Sequence, residues 1–249
     1  MINITRYLFI MVCCTTLFGC QQNNGEKVSW PTDESSSRFP GREAETHPLE
    51  KAFQQAGMID VHTLDTSIRV LLRYGTTDNF LGIDMFEGFN KCYLQPEVAE
   101  RLVLAQQALQ QIDKNLSLLV WDAARPRSVQ QLMWDKVVPP PGVHKSNFVS
   151  NPRNGSLHNY GCAVDVTIVD LQGNELDMGT DFDYFGELAW PISEQKMLKK
   201  GKLTSQQIQN RELLRSVMRA GRFWNIQTEW WHFNAMRREV ARERYPMVE

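Results

Sequence analysis

Apolar residues recur along this chain with two different periods. Over residues 96–113, Val98, Leu102, Leu104, Ala105 and Leu109 return at helical spacing behind Pro96, which suits a first helical turn. A shorter helix is predicted over residues 128–137. A third spans residues 206–220, with Ile208, Leu213, Leu214, Val217 and Met218 apolar and Gly221 as its stop. Short apolar runs bounded by turn residues read as strands at 116–121, 163–169 and across the region 223–233, with another strand start at Ile59-Asp60-Val61. Residues 171–187 are turn-rich and read as a loop. This order, without repeats, predicts one α+β domain over residues 49–249, a small antiparallel sheet flanked by helices. Roughly 200 residues can bury a core of their own.

The start of the chain is patterned differently. Residues 7–19 are mostly apolar, preceded by Arg6, and too short for a permanent membrane span. They run into Leu17-Phe18-Gly19-Cys20, which resembles a bacterial lipobox. Residues 1–20 therefore read as a lipoprotein signal peptide, with Cys20 as the lipidated first residue of the mature chain. An ordinary secretory signal or a retained anchor are the alternatives. Residues 21–48 are polar and carry Ser and Pro, a composition that reads as a tether. The expected location is the periplasm or cell surface, with membrane attachment through Cys20 only.

Composition narrows the classes. The net charge is −2, with no basic stripe for nucleic acid. Lys196, Lys199, Lys200 and Lys202 read as a solvated loop; Arg237, Arg238, Arg242 and Arg244 read as an exposed face offset by Glu239 and Glu243. Of five cysteines, Cys13 and Cys14 lie in the signal. Cys92 and Cys162 are left, and they either pair in an oxidising compartment or stay as thiols.

Five histidines are present. His47 reads as solvated, His62 as structural, and His144, after a proline run, as a surface residue. His158 lies in Ser156-Leu157-His158-Asn159-Tyr160-Gly161-Cys162-Ala163-Val164-Asp165, and His232 closes Glu229-Trp230-Trp231-His232. Two histidines and an aspartate suit a catalytic zinc ion with one open position. Glu229 is then free to act as the base on water, which makes a zinc hydrolase. On a regular strand His158 and Asp165 would face opposite ways, as would Glu229 and His232. A bend at Gly161 and a bulge or strand end before His232 are therefore required. Either half alone also reads as an ordinary buried polar pair.

These two motifs, with Trp121-Asp122-Ala123-Ala124-Arg125-Pro126, resemble the D-alanyl-D-alanine dipeptidases of the VanX type, within the wider family of zinc D,D-peptidases. The likeness runs from about Asp60 to Tyr245. It implies one Zn2+ per chain on His158, Asp165 and His232, with Glu229 as base and Arg125 stabilising the oxyanion. Ala124 departs from a tyrosine common at that place. Ser156 and Asp183 match residues that hold the substrate's ammonium group, and Tyr74 matches a pocket tyrosine. Read without the likeness, Arg125 could be a surface salt-bridge partner of Asp122, and Asp183 a turn acid. Cys162 fills a variable position and reads as a packing residue. The implied reaction is hydrolysis of D-Ala-D-Ala outside the cytoplasm, in wall-peptide turnover or salvage. The expected partner is a small dipeptide, without nucleic acid or an obligate protein. A D,D-carboxypeptidase or peptidoglycan endopeptidase is the alternative. A non-catalytic zinc-binding lipoprotein is the third, and it would leave Glu229 and Arg125 without purpose.

Overall fold

The computed structural model describes residues 46–139 and 144–249; the expected signal peptide, Cys20 and all but the end of the expected tether lie outside the described residues, as do residues 140–143. The core is organised on two neighbouring strands, β4 (Ser117–Asp122) and β5 (Ala163–Val169), in which every residue is buried. In a five-stranded sheet they take the centre, flanked by β2 (Arg69–Val70) on one side and by β7 (His232–Asn234) and β6 (Trp224–Asn225) on the other. Pairing is antiparallel from β4 to β6, whereas β2 runs parallel to β4. The α+β class and the small antiparallel sheet are as expected, with β2 added as a parallel edge. A two-residue strand carries no period from which its direction could be read. A separate antiparallel pair joins β1 (Ile59–Asp60) to β3 (Tyr93–Leu94).

The helices are α1 (Pro48–Gln55), α2 (Pro96–Ile112), α3 (Arg127–Lys136), α4 (Glu194–Lys199), α5 (Ser205–Ala220) and α6 (Arg238–Arg244), with α2 packed against β4 and α5 against β6. Val98, Leu102, Ala105 and Leu109 of α2 are buried, but Leu104 is 45% exposed, because two positions beyond Leu102 it leaves the stripe. α5 opens on a reciprocal cap between Thr204 and Gln207. Gly221 ends it for a different reason from the one expected. Its φ is −76°, and the left-handed turn falls on Arg222 at φ 62°. A Cβ at Gly221 would sit 2.4 Å from the Arg101 carbonyl oxygen, so glycine is what lets α5 close on α2.

Other expectations shift once the chain is folded. The region 223–233 is a hairpin, with β6 and β7 separated by a loop that carries Glu229. Lys196 and Lys199 belong to α4, and Lys196 pairs with Glu187. Arg244 pairs with Glu97 at 2.8 Å, so the C-terminal arginines are not a uniformly solvated face. His47 caps α1 by accepting from the Leu49 N–H and packs on Phe89, which corrects its solvated reading. His62 is structural, 2.9 Å from the Ile68 carbonyl, and His144 is exposed. Cys92 and Cys162 are buried and unpaired. Burial pushes the Cys162 thiol up to about 12, consistent with packing. Among the described residues no helix is long and apolar enough to cross a membrane.

Candidate active site

Strand pairing assembles half of the site. Asp165 on β5 stands directly opposite His232 on β7, and directly opposed residues share a face. β7 begins at His232, so Glu229 is released from strand alternation, as the spacing required. His158 arrives on a single 3-10 turn, Leu157–Tyr160. Ser156 caps that turn by accepting from the His158 N–H at 3.4 Å, and Asn159 returns the favour by accepting from the Ser156 N–H at 2.6 Å. Gly161 then reverses the chain with φ 64° and ψ 32°, a left-handed conformation that favours glycine. The bend and the strand end are both present.

The three ligand candidates consequently meet. His158 Nε2 lies 3.1 Å from His232 Nδ1, and Asp165 Oδ1 lies 2.9 Å from His232 Nδ1 and 3.4 Å from His158 Nε2. The outer ring nitrogens are engaged elsewhere: His158 Nδ1 donates to the Ala123 carbonyl at 2.7 Å, and His232 Nε2 to Asn234 Oδ1 at 2.9 Å. With the protons outside, two inward lone pairs and a carboxylate converge, an arrangement that only positive charge relieves. The acid–base balance says the same. Burial alone would raise the Asp165 carboxyl, but His158 and His232 outweigh it and hold it well below the usual range. Burial disfavours a charged His232, yet Asp165 more than compensates and lifts it to about 9. The donor set of two nitrogens and one oxygen fits a divalent metal with an open fourth position.

Behind the ligands lies a buried ion pair. The β4–β5 register slips between Val120 and Asp122, a bulge that brings Asp122 opposite Asp165. Asp122 Oδ2 accepts from Arg125 Nη2 at 2.5 Å and Nε at 3.0 Å, and lies 3.2 Å from His158 Nδ1. Arg125 Nη1 donates to Gln130 at 2.8 Å. Its guanidinium lies 4.9 Å from the Tyr74 ring, and Nη2 is 3.9 Å from Asp165. Arg125 does pair with Asp122, but inside the protein, which corrects the surface reading. Burial works against its charge, and Asp122, Tyr74 and Asp165 together outweigh burial, so it stays charged.

Two acids complete the cavity. Tyr74, in a 3-10 turn, donates its hydroxyl to both oxygens of Asp183 at 3.1 Å. Asp183 holds a φ of 58°, uncommon for any residue but glycine and tolerated by Asp at functional turns. Burial first, and Asp165 second, push its carboxyl well above the ordinary range. Glu229 is raised by burial with help from Asp165, while His232, His158 and Arg125 pull the other way. Every candidate residue of the catalytic domain lines the same cavity of about 480 Å3.

Residues 54–248 match the family described as D-Ala-D-Ala dipeptidase. The chain belongs to this peptidase family. It is therefore a hydrolytic enzyme of a metallopeptidase family, and His158, Asp165 and His232 are placed so that they could hold a metal ion. A D-alanyl-D-alanine dipeptidase of Escherichia coli (strain K12) is 29% identical over 180 residues, covering 71% of this chain and 83% of that protein. One from Enterococcus faecium is 28% identical over 176 residues, covering 65% and 82%. A third, from Streptomyces coelicolor, is 29% identical over 189 residues, covering 70% and 88%.

Within this family member, three supporting residues escaped the sequence. Asn234 orients His232, Gln130 holds Arg125, and Asn159 donates to the Arg125 carbonyl at 2.7 Å. Only Asn234 had a usable signal: two positions after His232 on a strand, it shares the same face.

Proposed function

We propose that the enzyme hydrolyses D-Ala-D-Ala to two D-alanines, using zinc at His158, Asp165 and His232. The activity for which its relatives are named supports this reading. So does one structural observation above others: a carboxylate held by a tyrosine hydroxyl, Asp183 on Tyr74, shares a cavity with the ligand cluster, Arg125 and Glu229. A carboxylate and polar oxygens are what a free ammonium, with three donors and a positive charge, requires. A substrate bound by its free amine in this cavity has a single residue before the scissile bond, as a dipeptide does.

Held by His158, Asp165 and His232, a zinc ion would supply Lewis-acid charge and bring the pKa of water down to about 7. Glu229 takes the proton from the attacking water, and its raised pKa brings it closer to the neutral range in which a general base works best. Arg125 faces the negative charge that develops on the carbonyl oxygen, a contribution of about 3–4 kcal/mol for a preorganised donor. Asp122 and Gln130 keep that guanidinium from reorienting. Glu229 then returns its proton to the leaving amine. Asp183 and Tyr74 hold the substrate's ammonium, while Ser156 caps the His158 turn and offers its hydroxyl from the cavity wall.

In the same reading, residues 1–20 direct export and Cys20 carries the lipid anchor, so the enzyme acts on dipeptide released outside the cytoplasm. No nucleic acid or obligate protein partner enters the reaction.

The test is release of alanine by the zinc-loaded protein from D-Ala-D-Ala, L-Ala-L-Ala and N-acetyl-D-Ala-D-Ala. Cleavage of the first alone, lost in Glu229→Ala, is expected. Cleavage of the N-acetyl compound would move the assignment to a carboxypeptidase, and no release with zinc bound would leave a binding protein.

A further inference from the structure

Three arginines line the catalytic cavity, and two of them are committed. Arg125 is locked between Asp122 and Gln130 beside the ligand cluster. Arg238 donates to the carbonyls of Gly155 at 2.8 Å and Asn154 at 3.3 Å, bracing the segment that leads into Ser156. Arg237 is exposed on the wall formed where β7 runs into α6; its carbonyl caps α6 by accepting from the Ala241 N–H, and its side chain makes no hydrogen bond or ion pair with any described residue. Its guanidinium is the uncommitted cation of this cavity.

The substrate of the dipeptidase reading is a zwitterion with two charged ends. Its ammonium is received by Asp183 and Tyr74, and its scissile carbonyl by the metal site and Arg125. The α-carboxylate of the leaving residue still lacks a partner. The cavity's acids, Asp165, Asp183, Glu229 and Glu239, all repel it. Glu239 lies on the same rim as Arg237, so the guanidinium is what makes that rim receptive to an anion. A planar guanidinium also matches a carboxylate with two parallel hydrogen bonds.

We propose that Arg237 recognises the α-carboxylate of the leaving residue, so that the enzyme reads a free C-terminus as well as a free amine. Arg237 is thereby a specificity-determining residue at the mouth of the site. This assignment rests on the dipeptidase reading.

The experiment compares D-Ala-D-Ala with its C-terminal amide, D-alanyl-D-alaninamide, on the zinc-loaded wild type and on Arg237→Gln and Arg237→Lys. The wild type is expected to prefer the free acid by about tenfold, through KM. Arg237→Gln should raise KM for the acid by a similar factor, with smaller changes for the amide and in kcat; Arg237→Lys should restore part of the preference. Turnover of the amide reports that each variant is folded. An Arg237→Gln enzyme that keeps the wild-type preference overturns the assignment, as does a wild type that cleaves acid and amide alike. A wild type that cleaves neither compound removes the dipeptidase reading itself, and the role of Arg237 with it.

Discussion

The cavity wall that carries His158, Asp165 and His232 is built from paired strands and a capped turn, whereas the wall that carries Tyr74 and Asp183 is built from an uncapped 3-10 turn and a loop. On the first wall, positions follow from hydrogen-bond register. Asp165 and His232 face each other because β5 and β7 pair there, and the outer nitrogen of each histidine is tied down. On the second, one tyrosine hydroxyl aligns a half-buried acid with an uncommon backbone conformation. Metal chemistry needs ligand distances held to tenths of an ångström, which a sheet provides. Recognition of a small amine needs a charge at the right depth and the freedom to meet it, which a loop provides. Changes in the first wall should therefore remove the reaction, and changes in the second should re-weight which substrate is taken.

The largest expected effect sharpens that division most. Stripping the metal with a chelator should abolish alanine release and zinc should restore it; Asp165→Ala should bind no zinc at all, while Asp183→Asn keeps its zinc. Equal metal content in both variants would erase the distinction. Next, Glu229→Gln should lower kcat by about 10²- to 10⁴-fold with zinc content unchanged. Arg125→Ala should lower kcat by about 10²- to 10³-fold. It should also lower unfolding stability by about 3–5 kcal/mol, because Asp122 is left buried without its partner. Denaturant titration beside a zinc assay separates the two losses.

Smaller effects probe the supports. Asn234→Ala leaves His232 Nε2 without its acceptor, and zinc affinity should weaken by about 10- to 100-fold in competition with a chelating dye. Asp183→Asn should raise KM for D-Ala-D-Ala by about tenfold with kcat less affected. Its pH dependence carries a sign. Burial holds the proton on Asp183, and an ammonium pairs only with the ionised form. KM should therefore fall as pH rises through the Asp183 pKa, and the asparagine variant should lose that slope. A variant with the wild-type slope would reassign it to another group.

The legible part of this molecule is the local part. Helix α2 was readable from Pro96 and its stripe, and β5 from an apolar run after Gly161. Leu104 shows where reading stops: its type fits a core and its angle does not. Gly221 was correctly placed as the end of α5, but the reason, the approach of the Arg101 carbonyl, belongs to a helix far away in the chain. The hairpin of β6 and β7 reads as one strand region because the loop between them carries Ile226, Thr228, Trp230 and Trp231, residue types that favour strands.

The sequence by itself determined the residue types of the site, the bends that the motif spacings demand, and the helical and strand periods around them. All of these depend on neighbours within a few positions, where backbone sterics and side-chain direction act. Only the tertiary structure decided that the β4 bulge buries Asp122 against Arg125, that Asn234 and Ala123 turn both histidines inward, and that Asp183 meets Tyr74. It also decided which of three arginines on one cavity is left free. Burial and charge pairing arise between segments distant in the chain, and their energies exist only once the strands are in register.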